Sequence, residues 1–383
     1  MRSLPDQREY LECAVNLLET GELKFFDPDF GEEVYAFRMP GYPAFIAALG
    51  ANLRAVRVAQ AIIDTSTVLA AFMLARRWLS PRRAVFAAAV VAFNPFLVYF
   101  SALILTETVF TAMLAWGMVL MVRGTLWPFI AGAMLLALSP LVRPSAIPLP
   151  AIMGLAVAWL NMIGGGTYPP VGNWEQRRAG SPARRLGVRV VVAGLACATL
   201  TLAVLLPWAW RNSRVVGHWI WTTTNSGITA YDGLNPQATG ASDQAHIRRM
   251  PKLQWMDEVE RSRYLGRLAN EFARENPRRA TELAAFKIAR TWSPIPLSAE
   301  FGGRRLYVAV AILYAAPFYL LVLAGLLRGR LPRSAKLLLL VPAIYFTIIH
   351  AASVGSLRYR IPAEVPMAVV AACVGRYGWR HSS

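Results

Sequence analysis

The sequence predicts an all-α polytopic membrane protein with a large polar segment on one face, and three observations carry that reading. Of the 383 residues, 56% are hydrophobic and the mean hydropathy is +0.39, with apolar runs too long for a soluble core. Crossing the hydrocarbon takes about 20 mostly apolar helical residues, and about nine such runs can be drawn, near 54–79, 84–103, 105–122, 126–142, 145–161, 187–208, 306–327, 336–351 and 361–376. The third observation is that the charges in the connections sort by sign.

With nine alternating crossings, the basic groups all fall on one side. They are Arg76, Arg77, Arg82 and Arg83; Arg123; Arg177, Arg178, Arg184 and Arg185; Arg328, Arg330, Arg333 and Lys336; and Arg376 and Arg380. Positive charge in short loops marks the cytoplasmic side. Of the 22 acidic residues, only Asp64, inside a span, and Glu175, in a cytoplasmic loop, do not map to the opposite side or its membrane edge. A membrane protein with its large polar segment on the outer side is therefore expected. The same distribution argues against nucleic acid as the partner of the net charge of +18, because the basic residues are spread over short loops rather than gathered on one patch. Cys13, Cys197 and Cys373 lie far apart, so neither a disulfide framework nor a thiolate metal site is indicated.

Four parts follow. Residues 1–53 form a first outer loop with juxtamembrane helices, and 54–208 hold transmembrane helices with a cytoplasmic loop at 162–186. Residues 209–305 are an outer segment and 306–383 the C-terminal spans. The chain starts on the outer side with no apolar span before Pro5, so a helix upstream of this sequence is expected. A helix is expected over Gln7–Thr20, and extended pieces around Trp219–Thr224. Turns follow at Asn225, Gly227, Asp232, Gly233, Asn235 and Pro236. Helices over 257–275 and 277–291 come next, the second opened by Pro277. No internal repeat is visible, so the paired halves of many transporters are not apparent.

Several residues are chemical candidates. Asp6 and Tyr10, four apart, share a helix face; the competing reading is that Asp6 caps its helix. Glu107, after Asn94, Pro95 and Tyr99, sits at the outer end of a span, where ionisable groups pair or do work. Asp64 lies deeper and is expected to make a helix-packing hydrogen bond. Arg38, Arg143, Arg211, Arg358 and Arg360 all stand at outer membrane edges, where they either snorkel or grip an anion such as phosphate with their guanidinium forks.

Taken in order, the strings Asp6-x3-Tyr10, Arg38-x-Pro-Gly-Tyr-Pro43, Asn94-Pro95-x3-Tyr99-x7-Glu107, Arg143-Pro144, Pro207-Trp-x2-Arg211-Asn212, Thr223-Thr-Asn-x-Gly227, Asn235-Pro-x-Ala-Thr-Gly240 and Arg358-Tyr-Arg-x-Pro362 resemble one family. The chain is similar to the bacterial relatives of protein O-mannosyltransferases (glycosyltransferase family 39) and lipid A aminoarabinose transferases. These are integral-membrane glycosyltransferases of the C superfamily. The resemblance implies a GT-C-like fold, a polyprenyl-phosphate sugar donor, and a lipid, glycan or protein acceptor on the outer face. It assigns Asp6 as general base and Glu107 as its helper. Arg143, Arg358 and Arg360, with Arg38 and Arg211, would hold the donor phosphate, and Tyr10, Tyr42, Tyr99, Asn225 and Asn235 would line the pocket. Gln7 stands where several members carry a second acid, so a divalent cation is left open as a cofactor and no metal ligand is assigned. The family's first membrane helix is absent from the sequence. Two rivals stay in view: a secondary transporter for an anionic solute, and a catalytically inactive relative.

Overall fold

In the computed structural model, which describes residues 5–163, 183–297 and 303–374, the chain is mostly helical with a single two-stranded sheet among those residues. Helix α1 (Pro5–Glu19) is followed by strands β1 (Phe25–Asp27) and β2 (Glu32–Val34), then α2 (Gly41–Ala48). The apolar helices begin with α3 (Leu53–Arg76), α4 (Pro81–Ala92), α5 (Pro95–Ser101), α6 (Glu107–Met121), α7 (Leu126–Leu138), α8 (Leu149–Ile163) and α9 (Ala183–Val215). A polar group of helices intervenes: α10 (Asn225–Gly233), α11 (Ala245–Arg248), α12 (Glu258–Glu275) and α13 (Pro277–Thr291). Three more apolar helices, α14 (Arg305–Arg328), α15 (Arg333–Ala352) and α16 (Ile361–Ala371), complete the described chain.

Each run read as a span is largely helical over its described residues. Five stretches, Leu53–Arg76, Pro144–Asn161, Gly187–Val215, Arg305–Arg328 and Arg333–Ala352, are long and apolar enough to cross a membrane. A sixth forms if α4 and α5, bent by 53° at Asn94-Pro95, count as one. The remaining three, α6, α7 and α16, are apolar but shorter; α7 runs into 3-10 turns at Pro140 and Pro144. Leu69, Leu313, Leu320 and Ile348 project outward from the long helices. Exposed apolar surface on this scale is tolerated in lipid rather than water. Helix α16 is the exception, buried on all sides and packed against α3, α4, α6, α14 and α15. A helix apolar all round belongs at the centre of such a bundle.

At one end of the bundle the first loop and the α10–α13 group are knit together. Glu258, at the start of α12, accepts hydrogen bonds from the backbone N–H of Tyr35 (3.0 Å) and Ala36, and from Thr224 Oγ1 (2.8 Å). Two apolar cores lie beside this seam. One gathers Cys13, Phe25, Val34, Met39, Leu205 and Trp208, the other Ile228, Ile247, Leu253 and Leu265.

Three expectations are corrected here. Residues 225–233 form helix α10 rather than turns, because Ile228 and Tyr231 reach the second core and Gly227 lets the helix cross α12 closely, with Ser262 O where a Cβ would stand. The stretch 219–224 is irregular, and the extended backbone lies instead at β1–β2, closed by Gly31 at φ 68°. Asp64 makes no side-chain hydrogen bond among the described residues. The basic loop read at 162–186 and the basic C-terminus with Arg376 and Arg380 fall largely outside the described residues.

Candidate functional site

The site is built from five stretches separated in sequence. Helix α1 puts Asp6, Glu9 and Tyr10 on one face, three and four residues apart. It is fastened to the α5–α6 turn by Gln7, whose Oε1 accepts from Ile104 N at 3.0 Å. Arg38 follows the hairpin. Glu107 opens α6, where a carboxylate complements the helix dipole. Arg143 precedes Pro144 and is held extended (φ −143°, ψ 108°), as residues before proline tend to be. Arg358 sits in a single 3-10 turn, Leu357–Tyr359, just before α16.

These side chains meet in one ion-pair network. Arg38 Nη2 lies 2.6 Å from Asp6 Oδ1, and its Nε donates to Glu9 Oε2 at 2.7 Å. Arg358 bridges the two candidate acids, with Nη1 3.0 Å from Asp6 Oδ2 and Nε 2.6 Å from Glu107 Oε1. Arg143 Nη2 reaches the same Glu107 oxygen at 3.4 Å. Three carboxylates thus face three guanidiniums. Burial disfavours the Asp6 charge, but Arg38 and Arg358 outweigh it and hold the carboxyl below its usual range. For Glu9 burial prevails over Arg38 and raises the pKa. Glu107 is fully buried, and its second oxygen, Oε2, has no hydrogen-bond partner among the described residues.

Above the network a cleft of about 630 Å³ opens between the first loop and the α10–α11 region. Asp6, Glu9, Arg38 and Arg358 line one wall, and Asn225, Ile228 and Arg248 the other. Asn225 Oδ1 is buried without a hydrogen-bond partner among the described residues. All the lining residues belong to segments outside the spans.

Of the predicted residues, Asp6, Glu107, Arg38, Arg143, Arg358 and Tyr10 come together, and Asn225 joins them across the cleft. Tyr10 supports Arg38, whose guanidinium carbon lies 5.0 Å from its ring centroid. Asp6 pairs with guanidiniums rather than capping α1. Others are placed elsewhere. Tyr42 lies wholly buried beneath the site and donates to Gln60 Oε1, which fixes α2 to α3. Tyr99 packs against Phe100 on the bent α4–α5 arm. Arg211 donates to the carbonyls of Tyr35 (2.7 Å) and Leu23 (2.9 Å) and holds the hairpin. Arg360 pairs with Glu364 inside the bundle. Asn235 closes its own turn through Gln237 N and Tyr231 O.

Sequence reasoning missed Glu9, His350 and Tyr359. The spacing of Glu9 from Asp6 was a usable signal, as was the position of Tyr359 between two flagged arginines. His350, read as part of an apolar span, gave none. Among the described residues no three or more His, Cys, Asp or Glu side chains are grouped to hold a metal ion, and Asp6 and Glu9 share Arg38 instead. Searches against protein-family models, curated proteins and solved structures found no match to this chain.

Proposed function

We propose that the chain is a membrane glycosyltransferase that moves a sugar from a polyprenyl-phosphate carrier to an acceptor hydroxyl. In this reading all nine apolar runs, with α4 and α5 counted as one and the short helices included, form a GT-C-like bundle in the bacterial cytoplasmic membrane, with the site on the outer face. The observation that carries it is the convergence of Asp6, Glu107, Arg38, Arg143 and Arg358 beneath an extramembrane cleft at one end of the apolar helices. Guanidinium forks at the edge of lipid suit a lipid-linked phosphate, and a carboxylate facing the cleft suits an acceptor hydroxyl.

The step is a displacement at the anomeric carbon. The acceptor oxygen forms the new bond to that carbon as its proton passes to Asp6. The bond from the carbon to the phosphate oxygen breaks, and its electron pair leaves with the polyprenyl phosphate. Arg358 and Arg143 stabilise the charge that develops there. A single in-line displacement inverts the configuration. Clamped by Arg38 and Arg358, Asp6 is a weak base. A donor phosphate competing for those guanidiniums loosens the clamp and restores its basicity, which couples proton removal to donor binding.

The test uses the intact protein in right-side-out and inverted vesicles with a labelled polyprenyl-phosphate sugar. Transfer of label to an acceptor on the outer side supports the proposal. Solute flux without any transfer would replace it with the transporter reading.

A further inference from the structure

Resting on the glycosyl-transfer reading, we infer that the Tyr359 ring, backed by His350, is the platform that aims Arg143 and Arg358 at the donor phosphate. The imidazole of His350 lies flat on the Tyr359 phenol ring, with centroids 3.7 Å apart and planes only 4° from parallel. The guanidinium carbons of Arg143 and Arg358 lie 5.2 and 5.6 Å from the centroid of that same ring. These are the two arginines that share Glu107 Oε1. A guanidinium over an aromatic face is attracted by its quadrupole and loses freedom to rotate. One ring therefore sets the direction of both forks.

The backing is itself fixed. His350 occupies the last turn of α15, is almost fully buried, and stands against Phe346 one turn earlier. Its Nδ1 lies 3.3 Å from Ser353 Oγ. Tyr359 sits on a short turn with no long helix of its own. Without the imidazole, the phenol ring would lose the flat partner stacked on it. His350 and Tyr359 are thus positioning residues, acting on the donor through the two arginines.

The test measures donor KM and kcat separately in reconstituted enzyme. His350→Ala is expected to raise the donor KM roughly three- to tenfold, the size of one lost aromatic stacking contact, with kcat little changed. His350→Phe, which keeps a flat ring and has no ring nitrogen, should restore the wild-type KM. Tyr359→Ala should resemble His350→Ala, and the double variant should be no worse than Tyr359→Ala alone, because both changes remove one device. Tyr359→Phe, which keeps both ring faces, should behave as wild type and shows that the turn folds. An unchanged KM in His350→Ala overturns the inference. So does a His350→Phe enzyme as impaired as His350→Ala, which would assign the role to the ring nitrogen. If wild-type enzyme transfers no sugar while the chain is folded, the functional reading fails, and not the platform.

Discussion

Arg358 and Arg360 stand two residues apart, yet they serve opposite ends. Arg360 is buried at 0% exposure beside Glu364 at 1%, with its Nε 2.6 Å from the carboxylate and its Nη1 on the carbonyls of Thr291 and Ser293. Glu364 in turn accepts from Asn94 (2.6 Å), whose own Oδ1 caps α5. That knot joins α16 to α13 and to the α4–α5 bend. Arg358 keeps 25% exposure and meets Asp6 at 27%, beside a cleft. A fully enclosed ion pair cannot be shared with a ligand, whereas one facing a cleft can. The half turn between the two residues separates an arginine that holds the fold from one free to exchange partners.

The largest effect should come from the buried knot. Arg360→Met leaves Glu364 uncompensated inside the bundle and should cost about 3–5 kcal/mol, enough to depress the yield of folded protein. Replacing both partners at once, Arg360→Met with Glu364→Leu, should recover most of that loss. Arg358→Met should cost less, about 1–3 kcal/mol, since Asp6 keeps Arg38 and the buried Glu107 keeps Arg143. Thermal unfolding in detergent ranks the variants, and equal losses at the two positions would erase the distinction.

Activity should rank them the other way. Asp6→Asn keeps the size of the side chain and one oxygen to accept from a guanidinium, and removes the base. Turnover should fall roughly 10² to 10⁴-fold at temperatures where the variant stays folded. Full turnover in this variant would remove Asp6 from the mechanism.

How much of this the sequence disclosed depended on whether a contact was local. Spans and their order follow from apolar run length, and α12 and α13 from Asp257 and Pro277 at their starts. Asp6, Glu107, Arg143 and Arg358 carried signals because charge at a membrane edge is unusual wherever it occurs. The partnerships were not legible. Nothing near Arg360 in sequence announces that Thr291 and Ser293 wrap it, or that Glu258 reaches back to Tyr35. Helix α10 escaped for a related reason: its Asn and Gly residues read as turns until α12 supplies the surface that Ile228 buries against.

Acid should sharpen the contrast through Asp6. Its pKa in the folded protein lies below the ordinary 3.8, so its pairing contributes stability that is fully present above that value and lost as pH falls through the folded pKa. Acid unfolding of Asp6→Asn should be less steep below about pH 4 than that of the wild type. Glu9 has the opposite sign, since its raised pKa makes its stabilising contribution fade as pH rises through the folded value. Equal acid sensitivity of Asp6→Asn and wild type would mean that the clamp on Asp6 adds nothing to stability.

Lys287 offers a third case, a buried cation with no hydrogen-bond partner among the described residues. Its Nζ has no hydrogen bond, lying against Gly233 while the nearby Asp232 carboxylate is taken by Ser242 Oγ (2.6 Å) and Asp243 N (2.8 Å). Burial lowers its pKa from 10.5 to about 8, against a partial opposing pull from Asp232. Below about pH 8 the lysine is protonated in both folded and unfolded chains, and the full penalty of the buried charge applies. Between that pH and 10.5 the unfolded chain binds more protons, so stability rises with pH. Lys287→Met, similar in length and uncharged, should therefore stabilise the protein at neutral pH by about 1–3 kcal/mol, the cost of one unsatisfied buried polar group. The advantage should shrink as pH is raised from about 7 to about 10, because only the wild type gains. A Lys287→Met protein less stable than wild type at neutral pH would show that the ammonium has a partner after all, and would place Lys287 with Arg360 among the cations that hold the fold.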